Sequence, residues 1–170
     1  MNFICIGKIV NTHGIKGEVR LISNFERKDL VFKKDFEIYI GKYHEKQVIN
    51  SYRVHKNYDM LTFKNLNDIN DVIMYKGEPV YVLREDLGNN HLKSDLIGFD
   101  VIYNEKMIGN VSGFFNNNSY EIMIIKGNSK ENLVPYLEHF IKEINYDEKK
   151  IYIINMEGLI DENWYLNTFS

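Results

Sequence analysis

The chain has no alanine among its 170 residues and only one cysteine, Cys5. Alanine is the best helix former, while the abundant Ile and Tyr favour sheets, so the composition leans toward β structure. An AT-rich genome would produce the same bias, which leaves the fold open on composition alone. A single cysteine excludes an internal disulfide, and its place in the apolar stretch 3–10 predicts a buried core thiol. No apolar run approaches the ~20 residues a helix needs to cross a bilayer, so no membrane association is expected. The start, Met1-Asn2-Phe3-Ile4-Cys5, has neither a basic n-region nor a small-residue cleavage site. No secretory signal is therefore expected, and the cytoplasm is the expected compartment.

Chemistry-bearing patterns are also missing. The five histidines (13, 44, 55, 91 and 139) show no metal-ligand spacing with cysteine or carboxylates. There is no G-x-S-x-G, Walker loop or dinucleotide fingerprint. Asp68/Asp71 and Asp147/Glu148 pair carboxylates, but at a helix start and in a turn, where dipole and solvation roles suffice. No catalytic residue, metal or cofactor is expected.

The net charge of −3 argues against a protein that coats nucleic acid by charge alone. Its distribution is uneven. Residues 1–83 hold 13 Lys/Arg against 10 Asp/Glu, a balance of +3, and residues 84–170 hold 8 against 14, a balance of −6. An acidic second half suits a basic protein partner and a mildly basic first half suits RNA, with chance surface charge as the alternative.

The first half reads as short strands at 3–10, 17–23, 36–40, 47–55, 59–64 and 79–83, with turns at Gly41 and Asn57. Within 47–55, Val48, Tyr52 and Val54 fall on one face and Ile49, Ser51 and Arg53 on the other. Leu66, Ile69, Val72 and Ile73 recur at helical spacing. They predict one short helix across 65–76, capped by Asn67 or Asp68 and stopped by Gly77. Six strands and a helix closing one end suit a small barrel. Residues 84–94 are polar and turn-rich and read as a linker. Strands resume at 97–103, 106–115, 120–126, 132–135 and 150–155, with a hairpin turn at Asn104-Glu105 and a loop at 116–118. Residues 136–143 predict a helical turn with Leu137, Phe140 and Ile141 inward. The expected organisation is all-β: a barrel over 1–83, the linker, and a second β-domain over 95–170 ending in an aromatic tail of Trp164, Tyr165 and Phe169.

The richest segment is Thr12-His13-Gly14-Ile15-Lys16-Gly17-Glu18-Val19-Arg20. Two glycines bracket a basic turn between strands, allowing positive φ and close approach. With Val19 and Leu21 inward, Glu18 and Arg20 point outward. Arg20 then offers a planar donor fork and Lys16 a mobile charge to an RNA phosphate or a protein. A hairpin with solvated charges is the competing reading. Gly14–Gly17 also fits the GxxG loop of KH domains, but that loop joins two helices and these flanks are strand-like.

This segment resembles the signature of the RimM family of ribosome maturation factors. Asp95-Leu96-Ile97-Gly98 looks like that family's second marker, Leu133-Val134-Pro135-Tyr136 its later strand, and Glu157-Gly158-Leu159 its closing motif, in the same order over nearly the whole chain. The resemblance implies an N-terminal six-stranded barrel, similar to the second domain of elongation factors, followed by a PRC-type β-barrel. It implies a non-enzymatic accessory protein, a chaperone-like assembly factor in ribosome biogenesis. Such a factor would help the head of the small ribosomal subunit mature and 16S rRNA be processed. The implied partners are small-subunit ribosomal protein number nineteen, the immature subunit and adjoining rRNA, with the chain itself a monomer. His13, Gly14, Lys16, Gly17, Glu18 and Arg20 would meet the subunit or its RNA. His91, Leu92, Asp95, Leu96, Ile97 and Gly98 would meet the ribosomal protein, with Leu87 and Phe99 as neighbouring anchors. Family members carry an aromatic pair, commonly two tyrosines, where this chain has His91-Leu92. An RNA-binding β-barrel module is the alternative function, and a flavin-reductase- or isomerase-like enzyme rests on fold analogy alone.

Overall fold

Alternating apolar residues fold the first part of the chain into six strands: β1 (Phe3–His13), β2 (Glu18–Ile22), β3 (Glu37–Ile40), β4 (Glu45–His55), β5 (Tyr58–Phe63) and β6 (Pro79–Leu83). The computed structural model describes residues 1–157. It separates into two units, Met1–Asn90 and one beginning at His91. In the first, the strands close into a barrel in the order β1-β2-β5-β4-β3-β6 with antiparallel pairings. Ile9, Val19, Leu21, Ile38, Ile49, Leu61, Val80 and Val82 fill it and are fully buried. Closure leaves this sheet no free edge.

Bulges bend the barrel strands. In β1 the register slips between Cys5 and Gly7 against β6, and between Ile9 and Asn11 against β2. The slip advances the pleat by one residue, so Ile6 and Ile9, three apart, both face inward. Cys5 lies outside. Its thiol is exposed, contrary to the buried position expected from the apolar stretch, because Ile4 and Ile6 take the inward phase. In β4 a slip between Ile49 and Ser51 corrects the alternation expected there: Ile49 is buried, Tyr52 is half-buried, and Val54 is exposed at the strand end.

The helix expected over 65–76 is two 3-10 turns, Ile69–Asp71 and Ile73–Tyr75, meeting at the buried Val72. Asp68 caps the first, accepting from the Asn70 N–H at 2.8 Å, while the Asp71 carboxylate accepts from the Asp68 N–H. The one α-helix among the described residues, α1 (Lys28–Val31), lies elsewhere and buries Val31 beside the buried Phe32. Next to α1, Lys28 pairs at 2.8 Å with the buried Asp59, which also accepts from the Tyr52 hydroxyl at 2.6 Å. Arg84–Leu87 forms a further 3-10 turn that belongs to the first unit.

The second unit holds β7 (Asp100–Tyr103), β8 (Lys106–Asn116), β9 (Glu121–Lys126), β10 (Glu131–Pro135), β11 (Ile141–Asn145) and β12 (Lys150–Ile153). They form one sheet in the order β10-β9-β8-β7-β12-β11, antiparallel except for the parallel pair β7–β12. Asn104 and Glu105, both at positive φ, make the tight β7–β8 turn expected from the sequence. β11 takes up the last three residues of the helical turn expected at 136–143. One turn forms, with the Ile141 N–H donating to Leu137 O at 3.0 Å, before the chain extends. Phe140, Ile141 and Ile144 pack on a core built around Val101, Ile108, Met123, Ile125 and Ile151. Gly158 and Leu159 of the closing motif, and Trp164, Tyr165 and Phe169, lie outside the described residues.

Candidate functional site

Thr12–Arg20 closes the β1–β2 hairpin, with His13 paired to Glu18 and Thr12 to Val19. Val19 and Leu21 point into the core and Glu18 and Arg20 lie on the outer face, as alternation predicts. Strands flank the turn on both sides, which excludes the KH-type loop. Gly14 (φ +68°) and Gly17 (φ +86°) both take left-handed backbone. Gly17 also lies against the 3-10 segment: a Cβ there would sit 2.3 Å from Leu66 O and 3.3 Å from Asp68 N. The Ile69 N–H donates to Ile15 O at 2.9 Å. The hairpin is thus clamped by backbone, while its tip is free, with Ile15 73% exposed and Lys16 exposed.

Behind the tip, polar side chains interlock. The Arg20 Nη2 donates to His13 Nδ1 at 2.8 Å, which requires that nitrogen to accept and leaves Nε2 as the donor of the neutral ring. The Arg20 guanidinium also lies 5.1 Å from the centroid of the Tyr58 ring, and its buried Nε has no partner. Arg53 grips Glu18 in a two-point pair, Nε to Oε2 at 2.9 Å and Nη2 to Oε1 at 2.7 Å. That bond, with the charges of Arg53, His13 and His55, holds the Glu18 carboxyl below its usual range against the opposing cost of burial. His55 lies 5.5 Å from His13, ring to ring. Burial and the nearby Arg53, His13, Lys56 and Arg20 push its imidazole down, favouring the neutral form.

The second predicted group folds into a 3-10 turn, Lys93–Leu96, whose Asp95 carboxylate accepts from the Leu92 N–H at 2.8 Å. Leu92 and Leu96 are buried, as are Leu87 and Phe99. What this segment presents is His91, Ile97 (53% exposed) and the backbone around Gly98, at φ +91°. The His91 ring stacks on Tyr146 with centroids 3.6 Å apart and planes 10° from parallel, so an aromatic pair does form here, with one member from the turn just after β11. Among the described residues no three His, Cys, Asp or Glu side chains converge in a way that fits a metal ion.

Comparison with known proteins agrees with this layout. The family model for the RimM N-terminal domain matches residues 4–87, and that for the RimM PRC barrel domain matches residues 93–159. The chain belongs to the RimM family. A ribosome maturation factor RimM from Staphylococcus haemolyticus is 42% identical over 164 residues, covering 92% of this chain and 98% of that one. One from Staphylococcus aureus is 40% identical with the same coverage. The crystal structure of a 16S ribosomal RNA processing protein RimM from Pseudomonas aeruginosa aligns with a TM-score of 0.46 and 20% identity, covering 89% of this chain and 96% of that chain.

In this RimM chain the hairpin site is larger than its sequence motif. Arg53, His55 and Tyr58 come from the β4–β5 hairpin and join His13, Glu18 and Arg20 because β5 sits between β2 and β4 in the barrel. The signal that locates them is pairing order, which a linear reading of residues 12–20 does not contain. Met60, the Cα partner of both Arg20 and Arg53, is fully buried on this outer face, consistent with apolar stems of the arginines covering it. With Glu18 and Arg53 neutralising each other, the strand face keeps positive charge from Lys16, Arg20 and Lys56, beside the exposed Asp68 and Asp71 of the clamping turn. The arrangement suits a non-covalent contact with an anionic surface.

Proposed function

We propose that this protein is a ribosome maturation factor that assists assembly of the head of the small ribosomal subunit and the processing of 16S rRNA, without catalysing a reaction itself. The observation that carries the reading is the clamped β1–β2 hairpin. Backbone contacts with Leu66, Asp68 and Ile69 hold it, and it offers Ile15 and Lys16 at its tip with Arg20 and the histidines behind. A preformed loop loses little entropy on binding, so it can distinguish the shape of an immature subunit from that of a mature one. Through this hairpin the protein touches the subunit and its adjoining RNA. Through His91, Ile97 and Gly98 it touches a basic small-subunit ribosomal protein, number nineteen. Leu92, Asp95 and Leu96 hold that second surface in shape. It works as a monomer in the cytoplasm. Release follows when the mature head no longer matches the hairpin.

Co-sedimentation tests this. The wild type is expected to travel with precursor subunits and not with mature ones. The His13→Ala/Lys16→Ala/Arg20→Ala variant is expected to lose the precursor, and Lys16→Glu, exposed and harmless to folding, to weaken it. Equal binding to precursor and mature subunits, or no binding to either, would refute the proposal. Tight, salt-sensitive binding to naked RNA with no ribosomal protein would favour a direct RNA-binding module instead.

A further inference from the structure

Across the first barrel from the hairpin, β1, β6 and β3 present a second outer face of opposite character. Cys5, Tyr81, Tyr39 and Lys46 follow one another as Cα partners from β1 to β4. The inward residues of these strands are Ile38, Ile40, Val80 and Val82, so Tyr39 and Tyr81 face outward. Phe3 and His44 complete an aromatic cluster. The Phe3 and His44 rings stack at 3.8 Å and 9°, Phe3 meets Tyr39 edge-on at 5.2 Å, and His44 meets Tyr81 edge-on at 4.8 Å. All four are only half-buried. The four rings touch one another and stay partly open to solvent on the outside of a barrel whose interior is already full.

The charges beside the rings are mainly negative. Glu37 accepts from the Tyr39 hydroxyl at 3.5 Å and pairs with Lys46 at 3.2 Å. Asp86 is exposed and has no hydrogen-bond or ion-pair partner among the described residues. Burial, then Glu37 and Glu85, raise its carboxyl against the opposing pull of Lys46, as expected where negative charge is crowded and under-compensated. A nucleic-acid backbone would be repelled here, although the rings alone would suit bases. We infer that this face docks a cationic polypeptide segment, whose arginine or lysine side chains lie on the Tyr39 and Tyr81 rings with their charge answered by Asp86 and Glu37. Arginine fits best: its guanidinium plane stacks on an aromatic face and its donor fork matches a carboxylate. The site is separate from the hairpin and does not depend on what the hairpin binds.

The exposed Cys5 beside Tyr81 is a built-in reporter. The full chain is titrated with fluorescein-labelled nona-arginine, read by anisotropy, while alkylation of Cys5 by iodoacetamide is followed by mass spectrometry. Saturating peptide is expected to slow alkylation several-fold. Asp86→Lys and Tyr81→Leu are each expected to weaken peptide binding by about tenfold, with Tyr81→Phe retaining it. Failure of the peptide to bind would overturn the inference. So would binding that leaves Cys5 reactive, as capture by the acidic second half predicts. Protection of Cys5 by decauridylate as strong as that by the peptide would overturn it in favour of RNA.

Discussion

Replacing Gly17 by alanine tests whether the hairpin is clamped or merely turned. Gly14 is its internal control, since both glycines hold positive φ, +86° and +68°. Forcing an L-residue into left-handed backbone costs about 1–2 kcal/mol at either position. At Gly14 nothing lies within 4 Å of the new methyl, so that is the whole cost. At Gly17 the methyl would meet Leu66 O at 2.3 Å and Leu66 C at 3.1 Å. Those atoms are backbone and cannot rotate away. Moving them strains the Asp68 cap and the Ile69-to-Ile15 hydrogen bond, worth about 0.5–1.5 kcal/mol each. Gly17→Ala is therefore expected to destabilise the first unit by about 3–4 kcal/mol and Gly14→Ala by about 1–2. With a urea dependence of about 1–1.5 kcal/mol per molar for a domain of this size, the midpoints should differ by about 1–2 M. The amide signals of Val19 and Leu61, both in the barrel core, report on this unit without interference from the other. Equal midpoints for the two variants would show that the contact with Leu66 does not restrain the turn.

Two further substitutions probe the barrel's ionisable groups. Burial and the hydrogen bond to Asp59 push the Tyr52 hydroxyl up to about 12. The folded state therefore keeps a proton that an unfolded chain releases near 10, so this contribution is full below about 10 and is lost as pH rises toward 12. Tyr52→Phe should flatten that alkaline decline, measured as urea midpoints at successive pH values. Glu18 behaves in the opposite sense: its lowered carboxyl stabilises the fold above the ordinary carboxylate range, and the benefit disappears as pH falls through the folded value. Arg53→Ala should return the Glu18 carboxyl toward its ordinary value in a carbon-detected titration. It should cost only about 0.5–1 kcal/mol, because Arg53 is half exposed.

The sequence was most legible where alternation ran unbroken. The six strands of the first barrel, the outward phase of Glu18 and Arg20, and the Asn104-Glu105 turn are all readable by period and turn chemistry. It misled wherever a bulge advanced the pleat. Ile6 and Ile9, Ile49 and Tyr52, and Ile141 and Ile144 each lie three apart yet face the same side, because the register slips between them. The helical turn read over 136–143 from Leu137, Phe140 and Ile141 does form at 137–141, and only its last three residues are instead the start of β11. The 65–76 segment failed differently: two 3-10 turns replace a continuous helix, so Val72 and Tyr75 are buried and Leu66 and Ile69 half-buried, while Ile73 is left exposed. Half of the hairpin site was hidden because Arg53, His55 and Tyr58 arrive through strand order, which no local window contains.

The charge inventory of the hairpin face limits how it can bind RNA. Arg53 is committed to Glu18 at two points, and His55 is held toward its neutral form. Lys16, Arg20 and Lys56 remain, and Arg20 already holds His13. Three phosphate contacts at most follow. For single-stranded RNA, where each contact contributes about −0.7, the logarithm of affinity should fall against the logarithm of salt with a slope near −2. So small an electrostatic share makes naked RNA a weak ligand and leaves selectivity to the shape of the clamped loop and its exposed Ile15. A filter-binding series with a 16S rRNA fragment from 50 to 300 mM salt, roughly the range over which counterion release is resolved, measures that slope. A value steeper than about −4 would mean that more cations are engaged than this face supplies, and the contact would have to lie elsewhere. A slope near zero would remove Lys16 and Arg20 from the interface altogether.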